Sequence, residues 1–469
     1  MSGWKHAFSL PANAVRKATP PGTVVLIDHD SEKSAGKQGD SVVKVPTPTA
    51  DPADPLNWPR WRKVTCMLSV AYYVFVANYI ASSLAPALPL WNHVFPHDQR
   101  PMQDLIQLVS FNVLAVGLGN IFWVPLSNIY GRRLALNLSA TVLASSCSIG
   151  MLLTGYKTTM IMRLLQGLGS SASETVSAAV VGDLFFVHER GGWMAFYSAS
   201  LASGSVIGGI TGGYVAAKFG WAKQFWLASG LAGISCIALA LLVPETMYDR
   251  NTKPLPPTHR FHQHRDPPLQ RLPERPIYGR TPLRPTRARV PPLDLTNTFY
   301  APIPTNPHQP HTTVPLPPAR YPPYTFRRSL QLSPYRGHVA HHFLKPWTTL
   351  RLPATWIVMF QYGGLVGSAA VISTVGPQLL AAPPYRWGEH AGLLFVGALV
   401  GIVLGGLYTA LVADRQLKAG ARRNKDTGYA EPESRVWIMV PALLVGTCGL
   451  AVFGGCAHAP GGSPATVSS

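Results

Sequence analysis

Glu174 stands near the middle of an apolar run, Leu164 to Val187, with Arg163 eleven residues before it. At about 100° per helical residue, Arg163, Gly167, Ser170, Glu174 and Ser177 fall within an arc of about 80°, and Asp183 faces elsewhere. A carboxylate at mid-span costs roughly 3 kcal/mol to insert, so it is expected to face a water-filled cavity. There burial raises its proton affinity and a nearby cation lowers it. Such a group suits proton exchange or the holding of a cationic solute, with Arg163 tuning it. Two plainer readings stand beside this one: Glu174 in a static hydrogen bond between helices, and Arg163 near the outer end as a snorkelling anchor.

A second set lies at a helix boundary, where Asn128 and Gly131 precede Arg132 and Arg133. Cations there can pair with helix C-terminal carbonyls and with acids on a neighbouring helix, or serve only as a positive-inside anchor. Gly204, Gly208, Gly209, Gly212 and Gly213 form a third set, whose four-residue spacing permits close helix approach or a hinge. Gly397, Gly401, Gly405 and Gly406 repeat the theme ahead of Asp414 and Arg415. Asn78, Asn112, Gln361 and Tyr362 are cavity candidates, although lone amides in spans more often bridge helices. No phosphate-binding loop, Ser/His/Asp set, paired catalytic carboxylates or metal-ligand spacing is present, so no enzyme, cofactor or metal is expected.

The elements that must position these residues are transmembrane helices. Of 469 residues, 47% are hydrophobic and 13% charged, whereas soluble domains carry about 25% charged residues. Apolar blocks of about 20 residues match a bilayer core. Nine spans are expected: Val64–Leu90, Leu105–Leu126, Leu134–Leu153, Leu164–Val187, Trp193–Ala217, Phe225–Pro244, Ala354–Ala382, Ala391–Ala413 and Val436–Ala457. The fold class is therefore an all-α membrane protein. Lys and Arg concentrate after spans 2 and 8, which places the N-terminus in the cytosol.

Residues 1–63 read as a disordered cytosolic tail, 64–244 as a six-helix bundle, and 354–457 as a partial three-helix bundle followed by a tail, 458–469. The segment 245–353 reads as a solvated cytosolic loop without a packed fold. Residues 251–353 hold 15 Lys/Arg and 3 Asp/Glu, which accounts for +12 of the net charge of +19. An adaptor acting through this basic, proline-rich loop on anionic lipid or nucleic acid lacks the aromatic pattern of single-strand binding, and no nucleic acid is expected.

The run Val124 to Arg133 resembles the loop between the second and third helices of the major facilitator superfamily, with Val124, Asn128 and Ile129 departing from its Gly, Asp and Arg. Asp54-Pro-Leu-Asn-Trp58, Arg163 with Gln166 and Gly167, Glu189-Arg190-Gly191, and Pro244-Glu-Thr246 resemble its fungal drug, polyamine and cation branch. The resemblance implies alternating access of two bundles around a central site. It implies a gate built on Asn128, Gly131, Arg132 and Arg133 that rests on Asp183, Glu189 and Arg190, with Asp414 and Arg415 as the second half's counterpart. The span 5 glycines resemble an antiporter signature in which Gly209 replaces a proline.

The expected activity is proton-coupled transport of a small cationic organic solute, with Glu174, Arg163, Gln166, Asn78, Gln361 and Tyr362 forming the binding region. The chain is expected to be a monomer in the plasma membrane with lipid, solute and protons as its partners. Because it reads as stopping after span 9, a truncated, transport-dead member of the same family is the alternative.

Overall fold

The computed structural model describes residues 24–25, 45–49, 51–152, 155–248, 325, 339–381, 388–423, 429–430 and 436–458. The chain divides into two units, Met1–Arg250 with Pro323–Ser469, and Asn251–Pro322; the second lies outside the described residues. Lipid leaves backbone groups no partner outside the segment, so the apolar runs close on themselves as helices. These are α1 (Arg60–Ser83), α2 (Met102–Tyr130), α3 (Arg132–Ile149), α4 (Tyr156–Ser170), α5 (Ala172–Leu184), α6 (Val187–Phe219) and α7 (Trp221–Leu242), then α8 (Val339–Thr349), α9 (Pro353–Ala381), α10 (Leu394–Arg423) and α11 (Val436–His458). Extended pairing among the described residues is limited to Val24–Val25 against Tyr429–Ala430, antiparallel.

Among the described residues, five segments are long and apolar enough to cross a membrane: Arg60–Val94, Met102–Tyr130, Arg132–Leu152, Trp221–Leu242 and Thr355–Leu380; Leu394–Thr409 and Leu443–Gly455 are shorter apolar stretches. Several boundaries differ from the sequence reading. Span 1 ends as an α-helix at Ser83, and Ala85–Leu90 continues as a 3-10 turn containing Pro86 and Pro89, whose rings cannot join an α-helical ladder. Span 4 starts earlier, at Tyr156, and is interrupted at Ser171. The proline-rich loop closes on a helix, α8, where no packed structure was expected. Helix α10 runs on to Arg423, so Arg415 lies within a helix and not in a loop.

Residues 45–63 depart from the expected tail. Asp54 and Leu56 are buried, and the Asp54 carboxylate caps a 3-10 turn at Leu56 N–H, 3.1 Å away. Thr49 donates to Asp54 from both its amide (3.0 Å) and its hydroxyl (3.1 Å). Val187 N–H donates to Val45 O at 3.0 Å, which ties this strap to the start of α6. Residue 50 and residues 1–44 apart from the short strand fall outside the described residues.

The core of the first bundle is carried by α1, which packs on α6 and α7. Its Tyr73 hydroxyl lies 2.7 Å from Ser139 Oγ and donates to Gly169 O at 2.9 Å, joining α1 to α3 and α4. Beyond the C-terminal end of α1, Trp91 Nε1 donates to Asp98 O at 2.9 Å, and its ring packs edge-on against Trp221. The Asp98 carboxylate accepts from Tyr156 N–H at 2.7 Å and sits 2.8 Å from Arg100 Nε. The Tyr156 amide first, and then Arg100, hold this carboxyl below its ordinary range.

Candidate functional site

Arg163 is fully buried, and its guanidinium is spent on main-chain carbonyls. It donates to Leu108 O (3.2 Å), Ile80 O (3.3 Å) and Ala81 O (2.8 Å), and to Gln166 Oε1 (2.9 Å). Ile80 and Ala81 belong to the last turn of α1, where carbonyls lack intrahelical partners and the helix end is negative. Ser82 O accepts from Leu84 N–H, and Ser83 O accepts from Gln224 Nε2 at 2.7 Å. All four terminal carbonyls of α1 are therefore satisfied, two of them by Arg163. This replaces the snorkelling reading of Arg163. It also separates Arg163 from Glu174, which lies eleven residues and about 16 Å further along.

The polar arc of span 4 divides in the same way. Gly167 presses against Asn112 O and Ala115 of α2, Ser170 Oγ donates back to Gly167 O at 3.1 Å, and Ser177 is buried. Glu174 alone on that arc is half-buried. Its carboxylate acts electrostatically on the hydroxyls of Tyr197 in α6 and Tyr362 in α9, and no cationic side chain among the described residues faces it. Tyr197 itself donates to Ser173 O and Glu174 O at 2.9 and 2.8 Å. Tyr362 is exposed and Gln361 half-buried beside it. Asn78 donates to Val74 O at 3.0 Å within its own helix. Of the expected binding set, Glu174 and Tyr362 lie within electrostatic reach of each other across the two halves, and Arg163 and Gln166 form a separate cluster.

The boundary between α2 and α3 gathers the second set. Gly131 turns the chain at φ 107°, a left-handed conformation that glycine adopts without penalty. A Cβ there would also strike the Glu245 carboxylate. Glu245 accepts from Arg132 N–H at 2.9 Å and Arg133 N–H at 3.2 Å, so an anion sits on the N-terminus of α3. Arg133 Nη2 reaches back to Ala240 O at 2.6 Å, placing a cation on the C-terminal carbonyls of α7. Arg132 binds Asn128 Oδ1 (2.6 Å) and Ser127 Oγ (2.9 Å) and pairs with Asp183 at 3.5 Å. Burial pushes the Glu245 carboxyl up against the opposing pull of its amide donors and Arg132.

Glu189 sits elsewhere, 3.8 Å from His188, and Arg190 donates to Gly182 O at 2.8 Å. Asp414 lies in α10 and Arg415 there is exposed. Glu245 is the residue that the sequence reading left without a role. Its signal was an acid directly after span 6 and a Gly-Arg-Arg turn opening span 3.

Helix α6 runs unbroken through its glycines. Cβ atoms at Gly204, Gly208 and Gly212 would strike the carbonyl oxygens of Phe75, Tyr79 and Ser83, so α1 and α6 touch backbone to backbone. Gly209 faces the Phe395 ring of α10, and Gly213 is buried. Tyr214 Oη lies 2.8 Å from His390 Nδ1 on the same seam between the halves.

Residues 53–467 match the Major Facilitator Superfamily. The chain is 24% identical over 451 residues to an uncharacterised MFS-type transporter of Schizosaccharomyces pombe, covering 92% of this chain and 75% of that protein. It is 29% identical over 228 residues to the MFS-type transporter hepF of Aspergillus oryzae, covering 47% of this chain and 45% of that one. Against the crystal structure of the human organic anion transporter MFSD10, the TM-score is 0.42 at 14% identity, over 78% of this chain and 75% of that one. With buried helices, multiple apolar spans and a family match from residue 53 to residue 467, this multi-pass membrane chain belongs to the Major Facilitator Superfamily.

Proposed function

We propose that the chain transports a small cationic organic solute, of the drug or polyamine class, across the plasma membrane by proton-coupled alternating access. It acts as a monomer with its N-terminus in the cytosol. The observation that carries this reading is Glu174: a half-buried carboxyl in the bundle, opposite Tyr362 of the other half, with no cation facing it among the described residues. An acid left without a countercharge in a low-dielectric setting gains most by taking a proton or a cationic ligand. Binding one excludes the other, which is the minimum requirement for coupling the two. Asn78 and Gln361 are the neutral polar groups offered to the solute.

The Gly131 turn with Arg132, Arg133, Asp183 and Glu245 closes the cytosolic side. The α6 glycines, held against α1 and α10, supply the surface on which the halves rock. Proteoliposomes with an imposed proton gradient, loaded with polyamines, cationic drugs or sugars, test this. Flux should be confined to the cations, and Glu174→Gln should abolish its dependence on the gradient. Undiminished gradient-driven flux in that variant would remove Glu174 from the mechanism.

A further inference from the structure

Helix α8 is short, amphipathic and joined directly to a membrane span. At about 100° per residue, Val339, Ala340, Phe343, Leu344 and Trp347 occupy one arc, while His341, His342, Lys345, Thr348 and Thr349 occupy the other. The apolar arc is largely uncovered: Val339 is 47%, Leu344 64% and Trp347 56% exposed. Phe343 is half-buried, and the helix is held on the bundle by packing against α2. After a three-residue turn, Leu350 to Leu352, the chain enters α9, and Trp356 Nε1 clamps that turn by donating to Leu350 O at 2.8 Å. The apolar surface continues through exposed Leu352 and Ile357 into the span.

We infer that α8 is an interfacial docking surface for anionic phospholipid headgroups, with Val339, Leu344 and Trp347 inserted at the acyl boundary and its basic arc against the phosphates. A helix with a Trp/Leu face and a basic polar face lies in the plane of a membrane surface. Continuity fixes the occupant: the helix ends where a span begins, so its open face lies at the depth of headgroups and not of bulk water. Charge complementarity fixes the lipid class. Lys345 and Arg351 add cationic side chains, the imidazoles can hydrogen-bond to phosphate, and the preceding sequence is strongly basic, with 13 Lys/Arg against 3 Asp/Glu over residues 251–338. Each basic group near an anionic leaflet raises partitioning by roughly fivefold.

The full chain in nanodiscs of phosphatidylcholine, with or without phosphatidylserine, tests this by hydrogen–deuterium exchange of the peptide covering 339–349. Exchange should slow by at least roughly fivefold when phosphatidylserine is added. His341→Glu with Lys345→Glu should remove that difference, His341→Arg with Lys345→Arg should keep it, and Leu344→Gln with Trp347→Gln should speed exchange in both disc types. Exchange in α1 and α3 reports whether each variant is folded, and the wild-type comparison stands without any variant. Equal exchange in the two lipid compositions would overturn the inference, as would protection that follows protein concentration and so marks a second copy as the occupant.

Discussion

The glycines of α6 and α10 share one spacing and have opposite surroundings. A Cβ at Gly204, Gly208 or Gly212 would collide with the backbone of α1, whereas Gly397, Gly401 and Gly405 have nothing within 4 Å. The wider regions differ likewise: 67% of the most apolar stretch of Arg60–Val94 is buried, against 6% for Thr355–Leu380. In lipid there is no hydrophobic drive to bring two helices together, so an apolar sequence by itself does not select a partner. What selects one is how near two backbones can come, and how many stranded polar groups the contact satisfies. The first bundle has both kinds of contact, in the α1–α6 seam and in the carbonyls bound by Arg163.

The sharpest way to break this contrast is Gly208→Leu, which forces a side chain into the Tyr79 carbonyl. It should cost about 3 kcal/mol or prevent folding, read as loss of a monodisperse peak and of the thermal transition in detergent. Next, Arg163→Met keeps the length and apolar stem but strands the Ala81 carbonyl and takes one donor from those of Ile80 and Leu108; a loss of about 2 kcal/mol is expected. Met should be no better tolerated than Lys, whose single ammonium cannot reach all three acceptors.

A pH titration probes the corner between α2 and α3. Because burial holds the Glu245 carboxyl above its unfolded value, the folded chain binds the extra proton in the window between the two values. Stability should therefore fall as pH rises through that window, by at most about 1.4 kcal/mol per pH unit. Glu245→Gln should flatten the profile there. The smallest effect belongs to Gly401→Leu, with a change within about 0.5 kcal/mol, as expected of a site away from packing contacts. A loss as large as that of Gly208→Leu would erase the distinction between the two helices.

How much of this was legible in the sequence depended on whether the partner was local. Spans 2, 6, 7 and 9 lie within a few residues of their helices because an uninterrupted apolar run is nearly the whole signal. Span 1 reads longer than its α-helix because Leu84–Leu90 stays apolar while Pro86 and Pro89 change its geometry. Residues 45–58 read as tail because their order comes from contacts distant in sequence: Thr49 Oγ1 to Tyr248 Oη at 3.2 Å, and Val187 N–H to Val45 O. The role of Arg163 was hidden for a related reason, since its acceptors are main-chain oxygens that every residue carries. Glu174 was legible as an unusual acid, and its neighbour Tyr362 as a polar residue in span 7. Their approach to each other depended on how the halves meet.

The shared end of α1 has a mechanical corollary. With its last four carbonyls held by α4, α7 and its own chain, this helix cannot slide outward without uncovering several of them at once. It is anchored as a lever with its fulcrum near Ile80. A tilt of about 10° there would carry the opposite end, about 30 Å away, through about 5 Å. That far end is Arg60, directly after the Asp54 strap, so the largest excursion available to α1 falls where that strap grips it.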